Sequence, residues 1–124
     1  MGQPFRLLVT GSRTWHDIPS IEQALAVIRA RHPEGILLVL GGCPRGADAI
    51  AAAYAARTPG YRIEAHPADW HRHGRSAGQL RNAEMVGLGA GGCVAFLRGT
   101  SPGTVATVRL AGAAGIPVWL HRQA

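Results

Sequence analysis

The chain contains no lysine: all of its 13 basic residues are arginine, set against 7 acidic ones, for a formal net charge of +6. Without lysine there is no P-loop, whose Lys reaches the phosphates of a bound nucleoside triphosphate. Alanine, glycine, proline and arginine are abundant, the imprint of a GC-rich genome, so the number of arginines carries less weight than their positions. Cysteine is scarce too. Cys43 and Cys93 each follow a glycine at the edge of an apolar run, a setting for reduced thiols in small α/β proteins and not for a disulfide framework. No apolar stretch approaches the roughly 20 residues of a membrane span. Aromatic residues make up 6% of the chain, and no dense basic run is interleaved with them, so a single-strand nucleic-acid platform is disfavoured. The first residues lead directly into a strand pattern, so neither a leader segment nor a membrane partner is expected, and the cytoplasm is the expected location.

Three short segments stand out against this background, and each follows an apolar run. Phe5–Thr10 reads as a first strand and ends in Thr10-Gly11-Ser12-Arg13. Ile36–Leu40 reads as a second and ends in Gly41-Gly42-Cys43-Pro44-Arg45-Gly46-Ala47-Asp48. Cys93–Leu97 ends in Arg98-Gly99-Thr100-Ser101-Pro102-Gly103-Thr104. Strand, glycine turn, helix is the arrangement that aims backbone N–H groups and a positive helix end at an anion. Gly41 and Gly42 can adopt positive φ and admit a ligand close to the backbone. Arg45 supplies a planar fork of donors for phosphate or carboxylate.

Between these segments lie helix patterns at about Ile21–Arg31, Arg45–Arg57, Ala77–Val86 and Thr104–Ala114, with further strands at Tyr61–Ala65 and Ile116–Leu120. Asp17, Pro19 and Ser20 carry helix-start chemistry. The stretch His66–Gly78 is polar, irregular and longer than a minimal connection. The alternation predicts one domain over residues 1–124: an α/β, Rossmann-like open sheet, mainly parallel, of about five strands with helices on both faces. In such sheets ligands bind beyond the carboxyl ends of the strands, near the point where strand order reverses. All three glycine segments belong on that edge, where Gly11, Ser12, Arg13, Gly41, Gly42, Arg45, Asp48, Ser101, Gly103 and Thr104 form one expected phosphate-binding rim. None matches the Gly-x-Gly-x-x-Gly dinucleotide fingerprint.

These residues resemble a family. Thr10-Gly11-Ser12-Arg13, Gly41-Gly42 with Gly46-Ala47-Asp48, Ala68-Asp69-Trp70, Gly78 with Arg81-Asn82-Ala83-Glu84-Met85, and Pro102-Gly103-Thr104 followed by Gly115-Ile116-Pro117-Val118 are similar to the small YspA/YpsA-type members of the SLOG superfamily. The superfamily also holds the LOG phosphoribohydrolases and DprA-like proteins. The resemblance implies a pocket for nucleotides or nucleotide-derived ligands, with ADP-ribose-like signals among those of related families, and adds Asp69, Trp70, Arg81 and Asn82 to the ligand-binding set. It implies no cofactor. LOG enzymes carry Pro-Gly-Gly-x-Gly-Thr-x-x-Glu with a catalytic glutamate. Aligning Gly103-Thr104 puts Thr107 at that position, and a hydroxyl cannot act as the carboxylate base. If the chain hydrolyses a glycosidic bond, Asp48, Asp69 or Glu84 has to supply the acid.

Several residues have plainer readings. Asp48 recognises a ribose or amide group, or else caps its helix or pairs with Arg45. Asp69 and Trp70 close over a base, or Trp70 pins its loop to the sheet. His66, His71 and His73 invite a metal, but no cysteine or second carboxylate clusters with them, so solvated histidines are expected and no metal site. Arg29, Arg31, Arg57 and Arg62 read as solvated faces. The alanine-rich helix Ala49–Ala56 is narrow enough to pack against a second copy, so a homodimer is expected. The reading that results is a binder of a phosphorylated, nucleotide-derived small molecule. An N-glycosidic or phosphoribosyl hydrolase and a DprA-like nucleic-acid module are the alternatives.

Overall fold

The computed structural model describes residues 2–124. Five strands, β1 (Phe5–Gly11), β2 (Ile36–Leu40), β3 (Tyr61–Ala65), β4 (Gly92–Arg98) and β5 (Val118–Gln123), form one sheet in the order β3-β2-β1-β4-β5. Every pairing is parallel. The sheet is therefore wholly parallel, as an α/β chain whose strands are separated by helices should make it. Strand order runs outward from β1 to β3, then restarts on the other side with β4 and β5. The reversal falls between β1 and β4.

Helices α1 (Ile18–Arg31) and α2 (Ala47–Ala56) cover one face. Leu7, Val9, Leu38, Leu40, Val94 and Phe96 point to it and pack with Ile21, Leu25, Ala51 and Ala55. The short helix α3 (Trp70–His73), a 3₁₀ turn at Gly74–Ser76, α4 (Ala77–Gly87) and α5 (Pro102–Ala113) complete the chain. The α4/α5 face is thinner: Leu8, Val39 and Cys93 meet Met85, Val86, Ala111 and Ile116. β1 and β4 are buried on both faces, which is why they read as continuous apolar runs with no alternation.

Local chemistry sets the boundaries. Asp17 caps α1 by accepting the Ser20 amide, with Pro19 in the first turn. Trp15 is buried against Phe96 at a ring separation of 5.4 Å and donates its indole N–H to the Asp17 carbonyl, tying the β1–α1 connection to the sheet. Four expectations need correction. α2 starts at Ala47, not Arg45, because Gly46 stands before it with φ +75° as the N-cap. α5 starts at Pro102, two residues early, since proline suits a first helical turn. The last strand is Val118–Gln123, not Ile116–Leu120: the Ile116 amide still bonds the Ala111 carbonyl at the end of α5, and Pro117 offers only its carbonyl, to Cys93. The His66–Gly78 stretch, expected to be irregular, contains α3, capped by Asp69 through the Arg72 amide at 3.0 Å. The α2 alanines Ala47, Ala51 and Ala55 are buried inside the fold. No helix among the described residues is long and apolar enough to cross a membrane.

Candidate functional site

A cavity of about 640 Å³ opens at the carboxyl edge, where strand order reverses. Its walls are the turns after β1, β2 and β4, one side of α4 from Gly78 to Met85 and the first turn of α5. Within its lining are Gly11, Ser12, Arg13, Gly41, Asp48, Arg81, Asn82, Ser101, Gly103 and Thr104. The structure thus brings together residues 90 positions apart in the chain, as the strand topology dictates. Gly42, Arg45, Asp69 and Trp70 lie outside that lining. Arg45 is exposed. Asp69 spends its carboxylate on the α3 cap. Trp70 is 52% exposed and sits beside Gly78, at the outer rim of the cavity.

Ser12 is almost wholly buried, and both of its hydrogen-bonding roles are filled. Its hydroxyl accepts the Arg98 amide at 2.9 Å and donates to the Arg98 carbonyl at 3.1 Å. One side chain thereby acts as an extra rung between the chain ends leaving β1 and β4, which excludes it as a free donor to a ligand in this geometry.

The β2–α2 turn is closed as well. Asp48 Oδ2 accepts the Gly41 amide at 3.1 Å and the Cys43 amide at 3.5 Å. Burial pushes its carboxyl above the usual aspartate range, against the lowering pull of the Cys43 amide, the Arg81 charge and the Gly41 amide. It neither pairs with Arg45 nor serves as the helix N-cap. The Ala47 amide, first in α2, donates to the Ser12 carbonyl. Gly41 does not adopt positive φ; a Cβ there would displace the Arg81 guanidinium from its present seat. Arg81 Nη1 donates to the Gly41 carbonyl at 2.8 Å and to the His66 carbonyl at 3.4 Å, while Nε holds Asn82 Oδ1 at 2.7 Å.

The β4–α5 turn is open by contrast. Gly103 and Thr104 stand in the first turn of α5, where amides have no intrahelical acceptor. Ser101, at φ +34°, is the one described non-glycine residue at positive φ, and its hydroxyl donates to Thr104 Oγ1 at 2.8 Å. A strained residue in a cavity wall is a common mark of a functional turn. Thr107, aligned with the catalytic glutamate of LOG enzymes, faces the core: it is fully buried and donates to the Gly103 carbonyl at 3.0 Å.

Sequence reasoning missed Arg75, Gln79, Arg98, Gly99 and Thr100 as lining residues. Arg98 had a legible signal, since it closes a fully buried strand just as Gly11-Ser12-Arg13 closes β1. Its Nη1 donates to the Thr14 carbonyl at 3.4 Å, and its Nε is buried with no partner. Arg75 sits in the 3₁₀ turn and had none. In all, four guanidiniums line the cavity, from Arg13, Arg75, Arg81 and Arg98, against one carboxylate, Asp48, among the described residues. Away from the cavity, Arg6 holds both oxygens of Glu64 at 3.0 Å, and His66 Nε2 meets Glu64 Oε2 at 2.8 Å. Those contacts, Arg6 first, bring the Glu64 carboxyl down to about 2. No group of three or more potential metal ligands occurs among the described residues. Both cysteines are free; Cys43 borders the cavity, and burial pushes the Cys93 thiol up to about 12.

Residues 5–73 match the model of the YspA, cpYpsA-related SLOG family. The chain is 49% identical over 117 residues to the Gene 61 protein of Mycobacterium phage D29, covering 91% of this chain and 93% of that protein. Among solved structures it is similar to the C-terminal domain of a hydrogenase from Pyrococcus furiosus, with a TM-score of 0.50 and 15% identity over 94% of this chain and 91% of that one. That likeness concerns the fold alone.

Proposed function

The chain belongs to the YspA, cpYpsA-related SLOG family, and from that premise we propose that the cavity at the β1/β4 reversal binds a nucleotide or nucleotide-derived phosphorylated ligand. ADP-ribose-like and NAD-related molecules are the leading candidates, and the protein serves as their sensor or carrier. The observation that carries this reading is the convergence of four guanidiniums from four separate segments on one cavity whose single carboxylate is already engaged by backbone amides. Guanidinium groups carry only donors and match phosphate oxygens in pairs. The open start of α5 adds backbone amides and the positive helix end.

Binding without hydrolysis is the form of the proposal. A glycosidase of the LOG type needs a carboxylate free to meet the substrate. Asp69 and Glu84 lie outside the cavity lining, Thr107 is buried in the core, and Asp48 is occupied. A homodimer is also proposed, through the exposed edge of β5, where Trp119 and Leu120 border a groove with Val27 of α1; sedimentation velocity giving a monomer removes this part. A DprA-like role predicts a mobility shift with single-stranded DNA, which the small-ligand reading does not.

A thermal-shift panel of AMP, NAD and ADP-ribose tests the binding reading. A ligand at about 100 times its Kd adds about 2.7 kcal/mol of stability, so the melting temperature rises by degrees. Arg81→Ala abolishes the rise. A panel in which no compound moves the transition defeats the proposal. Release of free base or ribose on incubation replaces the binder with the hydrolase.

A further inference from the structure

Resting on the binding reading above, we propose that the cavity reads the phosphorylated sugar of its ligand and leaves the base unread, so that its ligand class is defined by charge and not by nucleobase. Base affinity ordinarily comes from stacking on aromatic faces. No aromatic side chain lines this cavity among the described residues, and Trp70, beside the lining residue Gly78, stands outside it, 52% exposed. Base discrimination ordinarily comes from side chains offering a donor and an acceptor together at the base edge. Asn82 is committed, since its Oδ1 holds Arg81 Nε at 2.7 Å. The remaining lining amide, Gln79, is exposed and oriented by no hydrogen bond within the described chain. It therefore presents no preset donor–acceptor pair to a base edge, whereas the charge of an exposed arginine acts without a fixed rotamer. Guanidiniums cannot accept from the exocyclic amino groups that tell adenine and cytosine from their counterparts.

What the cavity does offer is positive charge from opposite sides. Arg13 lies on the connection to α1, on one face of the sheet, and Arg75 lies on the turn into α4, on the other. Both are exposed and make no hydrogen bond to the rest of the described chain, so both are free to meet an incoming anion. Arg81 and Arg98 are held by the Gly41 and Thr14 carbonyls and give fixed charge between them. A ligand with two linked phosphates engages more of this set than one with a single phosphate.

Titration calorimetry with ADP, GDP, CDP and UDP, then AMP, ribose 5-phosphate and adenosine, decides the matter. The four diphosphates bind within about threefold of one another, AMP binds about tenfold more weakly than ADP, ribose 5-phosphate matches AMP, and adenosine gives no binding heat. Arg13→Ala and Arg75→Ala, both at exposed positions that leave the fold intact by circular dichroism, weaken all four diphosphates alike. A preference beyond about tenfold for one base overturns this inference and leaves the binding reading standing. Ribose 5-phosphate failing where AMP binds does the same. If no phosphorylated compound binds, both fall together.

Discussion

Two helices begin at the same sheet edge and use their first turns in opposite ways. At α2 the start is shut. Its first amide goes to the Ser12 carbonyl, Gly46 lies against the Ser12 and Arg13 backbone, and Asp48 brings a carboxylate to the dipole and takes the Gly41 and Cys43 amides. At α5 the start is open: Pro102 has no amide to lose, a Cβ on Gly103 would meet only empty space, and the turn borders the cavity. Both segments follow a strand and both are rich in glycine. The lesson is that a glycine turn before a helix is not by itself an anion site; what matters is whether its amides already have acceptors. Glycine serves packing at the first turn and access at the second.

Substitutions at the two starts set this contrast at risk. The largest effect is expected from Gly46→Val, which places a branched side chain at φ +75° and against the Ser12 and Arg13 backbone. A loss of more than about 4 kcal/mol by urea denaturation is expected, enough to unfold a marginal domain; a variant within about 1 kcal/mol of the parent would mean that α2 is not jammed against the β1 turn.

Next comes Asp48. Asp48→Ala leaves the buried Gly41 amide without its acceptor, at about 1–3 kcal/mol, and the half-buried Cys43 amide at less. Asp48→Asn keeps an acceptor and removes the charge. Because burial raises the folded carboxyl above its ordinary 3.8, the folded state holds the proton more tightly than the unfolded state does. The contribution of Asp48 is then fully present below 3.8 and is lost as pH rises through the raised folded value. Urea titrations in acid and at neutral pH should show that decline in the parent and not in Asp48→Asn. Glu64 runs the other way: its stabilisation is present above the ordinary 4.5 and is lost as pH falls toward about 2. A parent that instead gains on Asp48→Asn as pH rises would show that the amides and Arg81 outweigh burial.

The smallest change in stability is expected at the open start. Gly103→Ala gains up to about 1 kcal/mol from helix propensity, since nothing obstructs the new methyl group. Its cost falls on ligand affinity, because that methyl enters the cavity. Unchanged affinity in a calorimetric titration would remove α5 from the site.

The sheet was legible because its punctuation is strong. Gly35 and Gly41 bracket the apolar run of β2, and Pro59-Gly60 precedes β3, so those two strands lie where the sequence places them. Pro117 blurred the other end, where an apolar residue still bonded to α5 looks like strand. The cavity lining followed from topology: turns after parallel strands share an edge wherever their side chains point. Side-chain commitments did not follow. Nothing in Gly-Ser-Arg says that Ser12 bonds both backbone groups of Arg98, and nothing in Asp69-Trp70 distinguishes a base clamp from a helix cap. Arg75 reaches the cavity only because an irregular stretch coils into α3 and a 3₁₀ turn, an outcome set by a cap at Asp69 and not by periodicity.

The Ser12 hydroxyl carries one more implication. By joining the two strand exits at their parting, it fixes the width of the entrance before any guest arrives. The proposed binding would then be entry into a preset gap, with ordering on association confined to exposed side chains such as Arg13 and Arg75. The proposed affinity could then be retuned at the exposed arginines without disturbing the frame that Ser12 holds.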